Sequence, residues 1–282
     1  MTTNTQQQQI TRKQGKTLLE RLMYYLPVLA VAIGVLTVWE LYVSIRDIQE
    51  FLLPRPSAIA GEFLDEVKLY LDSGERSLLF ASTGATFRSA LGGFIVGCGS
   101  GILVALITAR FTVLREATMP FAIAANSVPI VAFAPIMNNW FGLTSPGSKI
   151  AIVAIIVFFP AMINTVRGLT LIDPRELELM ESYAASPRKI LFAVRIPNAL
   201  PYIFSALRVA SALAVIGAVV GEFFGGLRAT LGQFITQEAA GFNFTRAWTA
   251  IVMASIIGIG FYVAVALIER LVMPWEQTEG QN

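Results

Sequence analysis

Glu222 closes a run of small and apolar residues, Ile216–Gly221, at the end of a long apolar block. A carboxylate so placed either serves a polar path through an apolar region or stands in solvent at the outer interface. Asn126, Pro129 and Pro135 interrupt another apolar block. Proline frees backbone carbonyls and Asn126 adds an amide, so these three, with Glu222, are the residues expected to line a translocation path. The alternative is a kinked helix whose polar groups are met by neighbouring helices. Arg88 and Arg208 lie inside apolar blocks near their ends, where a long side chain can snorkel to the surface. Gly15-Lys16-Thr17 has the ending of a phosphate-binding loop, but Ile10 stands where that motif needs glycine and no strand precedes it. Nucleotide binding is therefore not expected here. The chain has no histidine and a single cysteine, Cys98, which excludes an intrachain disulfide and argues against a metal site. No clustered catalytic set, metal or cofactor is expected in this chain, and it is not read as an enzyme.

The elements that must carry these residues are membrane spans. Of 282 residues, 55% are hydrophobic and 14% charged, against about a quarter charged in soluble domains. The net charge of +2 suggests no nucleic-acid surface. The apolar residues fall into blocks near 26–45, 83–109, 117–137, 150–166, 200–220 and 248–268. A helix needs about 20 mostly apolar residues to cross a bilayer. All but the short fourth block meet that length. Without strand-like alternation the spans must be helical. The expected fold is thus all-α, a polytopic transmembrane helical bundle of about six spans. The first block is too long for a signal peptide and lacks a cleavage site, so it is read as a retained span. Residues 1–25 read as a disordered, Gln-rich tail. Segment 46–79 holds an amphipathic helix over Pro56–Tyr70, with Ile59, Phe63, Val67 and Tyr70 on one face. The core spans 80–273, and 274–282 form a second tail. Gly225–Phe244 either dips back into the membrane or caps the outer mouth. Five glycines between Gly92 and Gly101 suit close helix packing, within the chain or between copies. Lys and Arg concentrate on the side of Arg12, Lys13, Arg110, Arg167, Arg188 and Lys189, which places both termini in the cytoplasm of a multi-pass protein of the bacterial inner membrane.

The longest connection on that side, Ile172–Pro201, carries strong local signals. Asp173 suits an N-cap, Pro174 the first helical position, and Glu176 completes a capping box. A helix is expected from Pro174 to about Ala184. Ser186-Pro187 repeats the start signal and opens a second helix toward Val194, with Pro197 and Pro201 breaking it before the fifth span. The bend between the two is Ala184-Ala185-Ser186. Leu177, Met180 and Ala184 share one face of the first helix, with Tyr183 beside them.

Here the chain resembles the membrane subunits of binding-protein-dependent ABC importers, of the type I kind. Their cytoplasmic signature reads Glu-Ala-Ala, three residues, Gly, nine residues, Ile, one residue, Leu-Pro. Glu178 takes the Glu place, Ala184 the Gly place, Val194 the Ile place and Ile196-Pro197 the Leu-Pro place. Leu179 and Met180 replace the two alanines. Ala184 keeps the bend small, but alanine cannot take a positive φ without strain. The likeness spans Leu79–Met273. It is closest to the branch handling nitrate, sulfonates, taurine, riboflavin or thiamine-precursor pyrimidines, through Val128-Pro-Ile-Val-Ala-Phe-Ala-Pro-Ile-Met, Phe158-Phe-Pro and Gly217-Ala-Val-Val-Gly-Glu-Phe.

The resemblance implies a permease subunit for a small polar or anionic solute, with coupling helices at 173–196. Residues Asp173, Pro174, Glu176, Leu177, Glu178, Met180, Ala184, Ala185, Ser186, Val194 and Pro197 would couple it to an ATPase. It implies two ATP-binding subunits holding ATP and Mg, a second permease copy or paralogue, an extracytoplasmic substrate-binding protein and surrounding membrane lipid as partners. The competing class is an ion-coupled secondary transporter, which calls for inverted repeats and acids in mid-span; neither is evident.

Overall fold

The computed structural model describes residues 18–73, 77–111, 120–125, 127–226 and 229–274. Gly15-Lys16-Thr17 and Asn126 lie outside them, as do most of both tails. Most of the described residues are helical, and none of them lies in a strand. The long helices are α1 (Leu18–Ile45), α3 (Leu78–Arg110), α5 (Pro146–Thr170), α8 (Ile196–Phe223) and α10 (Phe244–Val272). Between them lie α2 (Pro56–Ser73), α4 (Ala134–Phe141), α6 (Pro174–Ser182), α7 (Pro187–Ile190) and α9 (Leu231–Ala240). Among the described residues, five stretches are long and apolar enough to cross a membrane. The fourth block, short by sequence, becomes a 25-residue helix because Ser145 caps it upstream and Pro160 is accommodated inside it. Helix α1 starts at Leu18, so the expected disordered tail is helical from there on.

The third apolar block is not one continuous helix. A helical turn over 120–125 gives way at Pro129 to a 3-10 turn, Ile130–Phe133, and then to α4. Pro129 supplies no N–H, so the chain leaves the helical ladder there. The segment nevertheless traverses the bundle. Helices α3 and α5 run parallel: Gly92 faces Ile150, Gly97 faces Ala154 and Val157, and Gly101 faces Phe158 and Ala161. The intervening chain must therefore return to the starting end. Ala122 packs with Ala105, Met162 and Val166, whereas Ala134 and Met137 pack with Ile152. The described residues thus make five continuous crossings and one interrupted one.

Helix α8 runs antiparallel to α5, with Gly168 against Ala199 and Gly221 against Ile152. Helix α10 runs antiparallel to α8, tied by an Arg208–Glu269 ion pair of 3.2 Å. Arg208 is thus paired rather than snorkelling. The core, from Ala90 and Cys98 through Val153, Val157, Ala210 and Ala214, is built of small and β-branched residues that admit close backbone approach. Glycines of α3 between Gly92 and Gly101 pack on α5, a neighbour in the same chain. Gly99, with no atom within 4 Å of a built Cβ, is the exception in that run. Helix α1 is peripheral, leaving Val28, Val31, Ile33 and Val38 exposed, as suits contact with lipid.

One end of the bundle gathers the C-terminal end of α1, the N-terminal ends of α3, α5 and α10, and the C-terminal end of α8. Helices α2 and α9 lie there. Glu40 of α1 accepts hydrogen bonds from the Ser57 N–H (3.0 Å) and hydroxyl (2.8 Å), satisfying free donors of α2. Trp39 meets Trp248 edge-on at 5.1 Å. Arg246 bonds Glu62 of α2 (3.2 Å), Glu66 of α2 (3.0 Å) and Glu238 of α9 (3.0 Å), fastening both short helices to α10. The amphipathic helix expected over Pro56–Tyr70 is therefore α2, with Ile59 and Glu66 buried and Tyr70 exposed. The opposite end carries the start of α1, the end of α10 and the connection 171–195.

Candidate functional site

That connection forms a hairpin with no buried residue in either short helix. Asp173 caps α6, its carboxylate accepting from Arg175 N–H at 2.9 Å, with Pro174 in the first turn. Glu176, Leu177, Glu178 and Met180 follow on the helix, which ends at Ser182, two residues earlier than expected. The reason is Ala184, which sits at φ +48°. Its N–H donates to Glu181 O (2.8 Å) and that of Ala185 to Met180 O (3.0 Å), the hydrogen-bond pattern of a Schellman ending. Glycine usually fills this left-handed place; alanine there is strained by about 1–2 kcal/mol. Ser186 then caps α7, accepting from Lys189 N–H at 3.4 Å.

The second helix does not break before the fifth span. A π turn, Leu191–Arg195, joins α7 to α8. It widens the helix just ahead of Pro197 and makes room for the proline ring. Val194 and Pro197 are thus parts of one rod running from Pro187 to Phe223. The hairpin's base is locked to α5. Asn198 donates its amide to Gly168 O (2.7 Å) and Leu171 O (2.8 Å), closing free carbonyls at the end of α5. Asn198 carries no motif signal, so residue types and spacing do not point to it.

The exposed apolar face of α6 also differs from expectation. Leu177 and Met180 are half-buried, whereas Leu179 and Tyr183, one turn apart, are 56% and 73% exposed. Glu178 and Ala184 are exposed beside them. The hairpin thus offers a short apolar ridge on a rigid base, with no cover among the described residues.

At the other end, Glu222 is fully buried, which rules out a solvated carboxylate. Its Oε2 accepts from the Thr86 hydroxyl (3.0 Å) and from the Gly232 N–H (2.9 Å). Thr86 Oγ1 in turn accepts from Leu231 N–H (2.9 Å), and Gln233 donates to the Glu222 carbonyl. Glu222 therefore satisfies the first turn of α9 from a neighbouring helix, where an anion is favoured. Gly232 is required by this approach: a Cβ there would lie 2.6 Å from Glu222 Cβ. Helix α9 so held caps this end, with Leu231 and Phe234 buried against Leu79, Ala250 and Met253.

Beside Glu222 lies Lys149, 3% exposed, donating to Asn138 Oδ1 (3.0 Å), Leu143 O (2.7 Å) and Ser148 Oγ (3.0 Å). Asn138 donates to Phe224 O at 3.0 Å, so it is a buried link between α4 and the end of α8. A cavity of about 260 Å³ opens among Arg88, Ser145, Lys149, Glu222 and Thr230. Pro129 and Pro135 are exposed and lie outside that cavity, so the structure does not bring them together with Glu222.

Comparison with known proteins places these features in a family context. A family model described as "Binding-protein-dependent transport system inner membrane component" matches residues 101–274. The riboflavin transport system permease protein RibX of Chloroflexus aurantiacus is 36% identical over 86% of this chain and 87% of its own. The formylaminopyrimidine transport permease protein ThiX of Halalkalibacterium halodurans is 31% identical over 86% and 93%. In fold, a chain of an amino acid ABC transporter superposes with a TM-score of 0.57 at 16% identity, covering 74% of this chain and 97% of that one.

Proposed function

Because the chain belongs to the family of binding-protein-dependent transport system inner membrane components, we propose that it is driven by an ATP-binding subunit docked on the α6–α7 hairpin. The exposed Leu179–Tyr183 ridge carries this reading, since it stands on a base fixed to the ends of α5 and α8. A push on α6 passes through α7 and the π turn directly into α8, whose far end holds Glu222. ATP and Mg are bound by two such partner subunits. A second permease copy or paralogue completes the path, an extracytoplasmic binding protein delivers a small polar or anionic solute to the Glu222 end, and lipid surrounds α1. The two access states differ in affinity for ATP on the partner, and that difference drives the change.

The test pairs Leu179→Asp with Tyr183→Ala in one variant. Co-purification of the ATP-binding subunit should fall more than about tenfold, as for loss of central apolar anchors, with the permease's own melting temperature unchanged because both side chains are exposed. Full retention of the partner with normal ATPase activity would assign the docking elsewhere.

The hairpin end is cytoplasmic in this reading, as are both termini. In a Cys98→Ser background, Asp65→Cys should react with an impermeant thiol reagent on whole cells, and Lys189→Cys only with a permeant one. Outside labelling at Lys189 would reverse the orientation and remove the docking proposal with it.

A further inference from the structure

The interrupted crossing breaks in the middle of the membrane. Ala122, before the break, packs with Met162 and Val166 of α5, and Ala134, after it, packs with Ile152. Ser127–Pro129 therefore lies near the level of Phe158, roughly 18 Å from either end of the 25-residue α5. Pro129, at ψ 87°, holds the chain out of the helical ladder there. Among the described residues no donor reaches the carbonyls of Ser127 or Val128, and no acceptor reaches the N–H of Ile130 or Val131. The Ser127 hydroxyl turns back to Ile123 O at 3.3 Å and serves none of these groups. Ser127, Val128, Pro129, Val131 and Ala132 are all exposed. Lipid cannot cover free backbone groups at that depth; they persist only inside protein or against water. The exposed side chains beside them, Val128, Val131 and Phe133, are apolar. The same face of a second permease copy would bring no side-chain partner, and unmet groups are costly. Water is the cover that fits. No charged residue occurs between Glu116 and Lys149, so a charged group halted here meets no counter-charge from this segment.

We infer that this break lines the translocation path and is a station for an uncharged solute group that pairs an N–H donor with a carbonyl acceptor, as amides, ureides and lactam rings do. The solute's donor goes to the Ser127 or Val128 carbonyl and its acceptor to the Ile130 or Val131 N–H. This deepens the permease reading and rests on it. Of the small polar or anionic solutes which that reading allows, the break selects those with an uncharged donor–acceptor edge. A solute without the donor leaves the carbonyls unpaired, which is the discrimination that buried polar groups give best.

The test uses the full chain, in a Cys98→Ser background, assembled with its ATP-binding subunits in lipid nanodiscs. Val128→Cys and Ala132→Cys stand on either side of Pro129, and both positions are exposed, so the fold should hold. Val31→Cys, an exposed position at mid-length of α1, is the lipid-facing control. The reagent is a small water-soluble methanethiosulfonate. Thiols react as thiolates, which need water, so both test positions should label at least about tenfold faster than the control, in the ATP-free or the ATP-bound state. Uracil, an uncharged lactam ring, should slow labelling of Val128→Cys. N,N′-dimethyluracil lacks the N–H donors and should need about fivefold or more the concentration for equal protection, the ratio expected of one hydrogen bond. Ethanesulfonate should give no protection. Labelling no faster than Val31→Cys in both states would put the break against lipid or protein and overturn the path assignment. Protection by ethanesulfonate alone, equal protection by the two uracils, or none by either at tens of millimolar would overturn the solute assignment. Co-purification of the ATP-binding subunit in the same samples tests the permease reading separately.

Discussion

Replacing Ala184 by valine should abolish coupling, whereas replacing it by glycine should preserve coupling and slightly stabilise the hairpin. Ala184 is held at φ +48° by the two hydrogen bonds that end α6. Alanine at a left-handed position costs about 1–2 kcal/mol. Glycine removes that strain but adds backbone freedom to the unfolded chain, a cost of about 0.5–1 kcal/mol, so a small net gain remains. Valine adds a branched Cβ to the same backbone, and the cheapest response is to leave the left-handed region. The Ala185 N–H then loses Met180 O, and α6 swings away from α7. Because α6 has no buried residue to hold it in place, nothing else restores its angle. The ATPase activity of the assembled complex should fall more than about tenfold in Ala184→Val, as expected when an interface loses its central contacts. Hydrogen exchange at Ala185 should rise, while the melting temperature of the bundle stays near that of the parent. Normal activity in Ala184→Val would show that the bend does not seat the partner.

The second large effect lies in the bundle itself. Gly97→Leu should leave little folded permease. A Cβ at Gly97 would collide with the Ala154 carbonyl and lie 2.5 Å from Val157 Cγ2 and 2.7 Å from Ala154 Cα. Two of those atoms are backbone, so no rotamer change on α5 relieves the contact. Overpacking of a side chain costs about 1–3 kcal/mol, and forcing two long helices apart exceeds that range. The interrupted crossing depends on the same pair, because Ala122 packs with Ala105 of α3 and Met162 of α5. Gly99→Leu is the matched control, since a Cβ there meets no atom within 4 Å. Monodispersity on size exclusion and the melting temperature in detergent read the difference. A Gly97→Leu protein as stable as Gly99→Leu would show that the α3–α5 contact is looser than its geometry.

Helix identity, the number of crossings and the hairpin's caps were legible from residue types alone. Long apolar blocks leave no choice but helices in lipid. Asp173-Pro174 and Ser186-Pro187 are local signals, and both caps form where those signals stand. The departures occur where local rules compete with neighbours. Proline at 197 reads as a breaker, yet a π turn upstream absorbs it. The apolar run 117–137 reads as one span, yet Pro129 interrupts it while packing on α3 and α5 still carries it across. Arg208 reads as a snorkelling cation, yet Glu269, sixty-one residues on, is its partner.

What the sequence determined by itself was therefore everything set by composition and by signals a few residues apart: an all-helical membrane protein, the position of the hairpin and its bend, and the absence of a Cys/His metal set. What only the tertiary structure decided was how distant charges and backbones meet. Glu222 could have been a solvated carboxylate or a path residue. Its burial was settled not by its own neighbours in sequence but by Thr86, 136 residues away, and by the first turn of α9. Burial and pairing of a charge depend on which helices lie side by side, and helix order in space is set by small-residue contacts such as Gly97 on Ala154, whose partners no local pattern names.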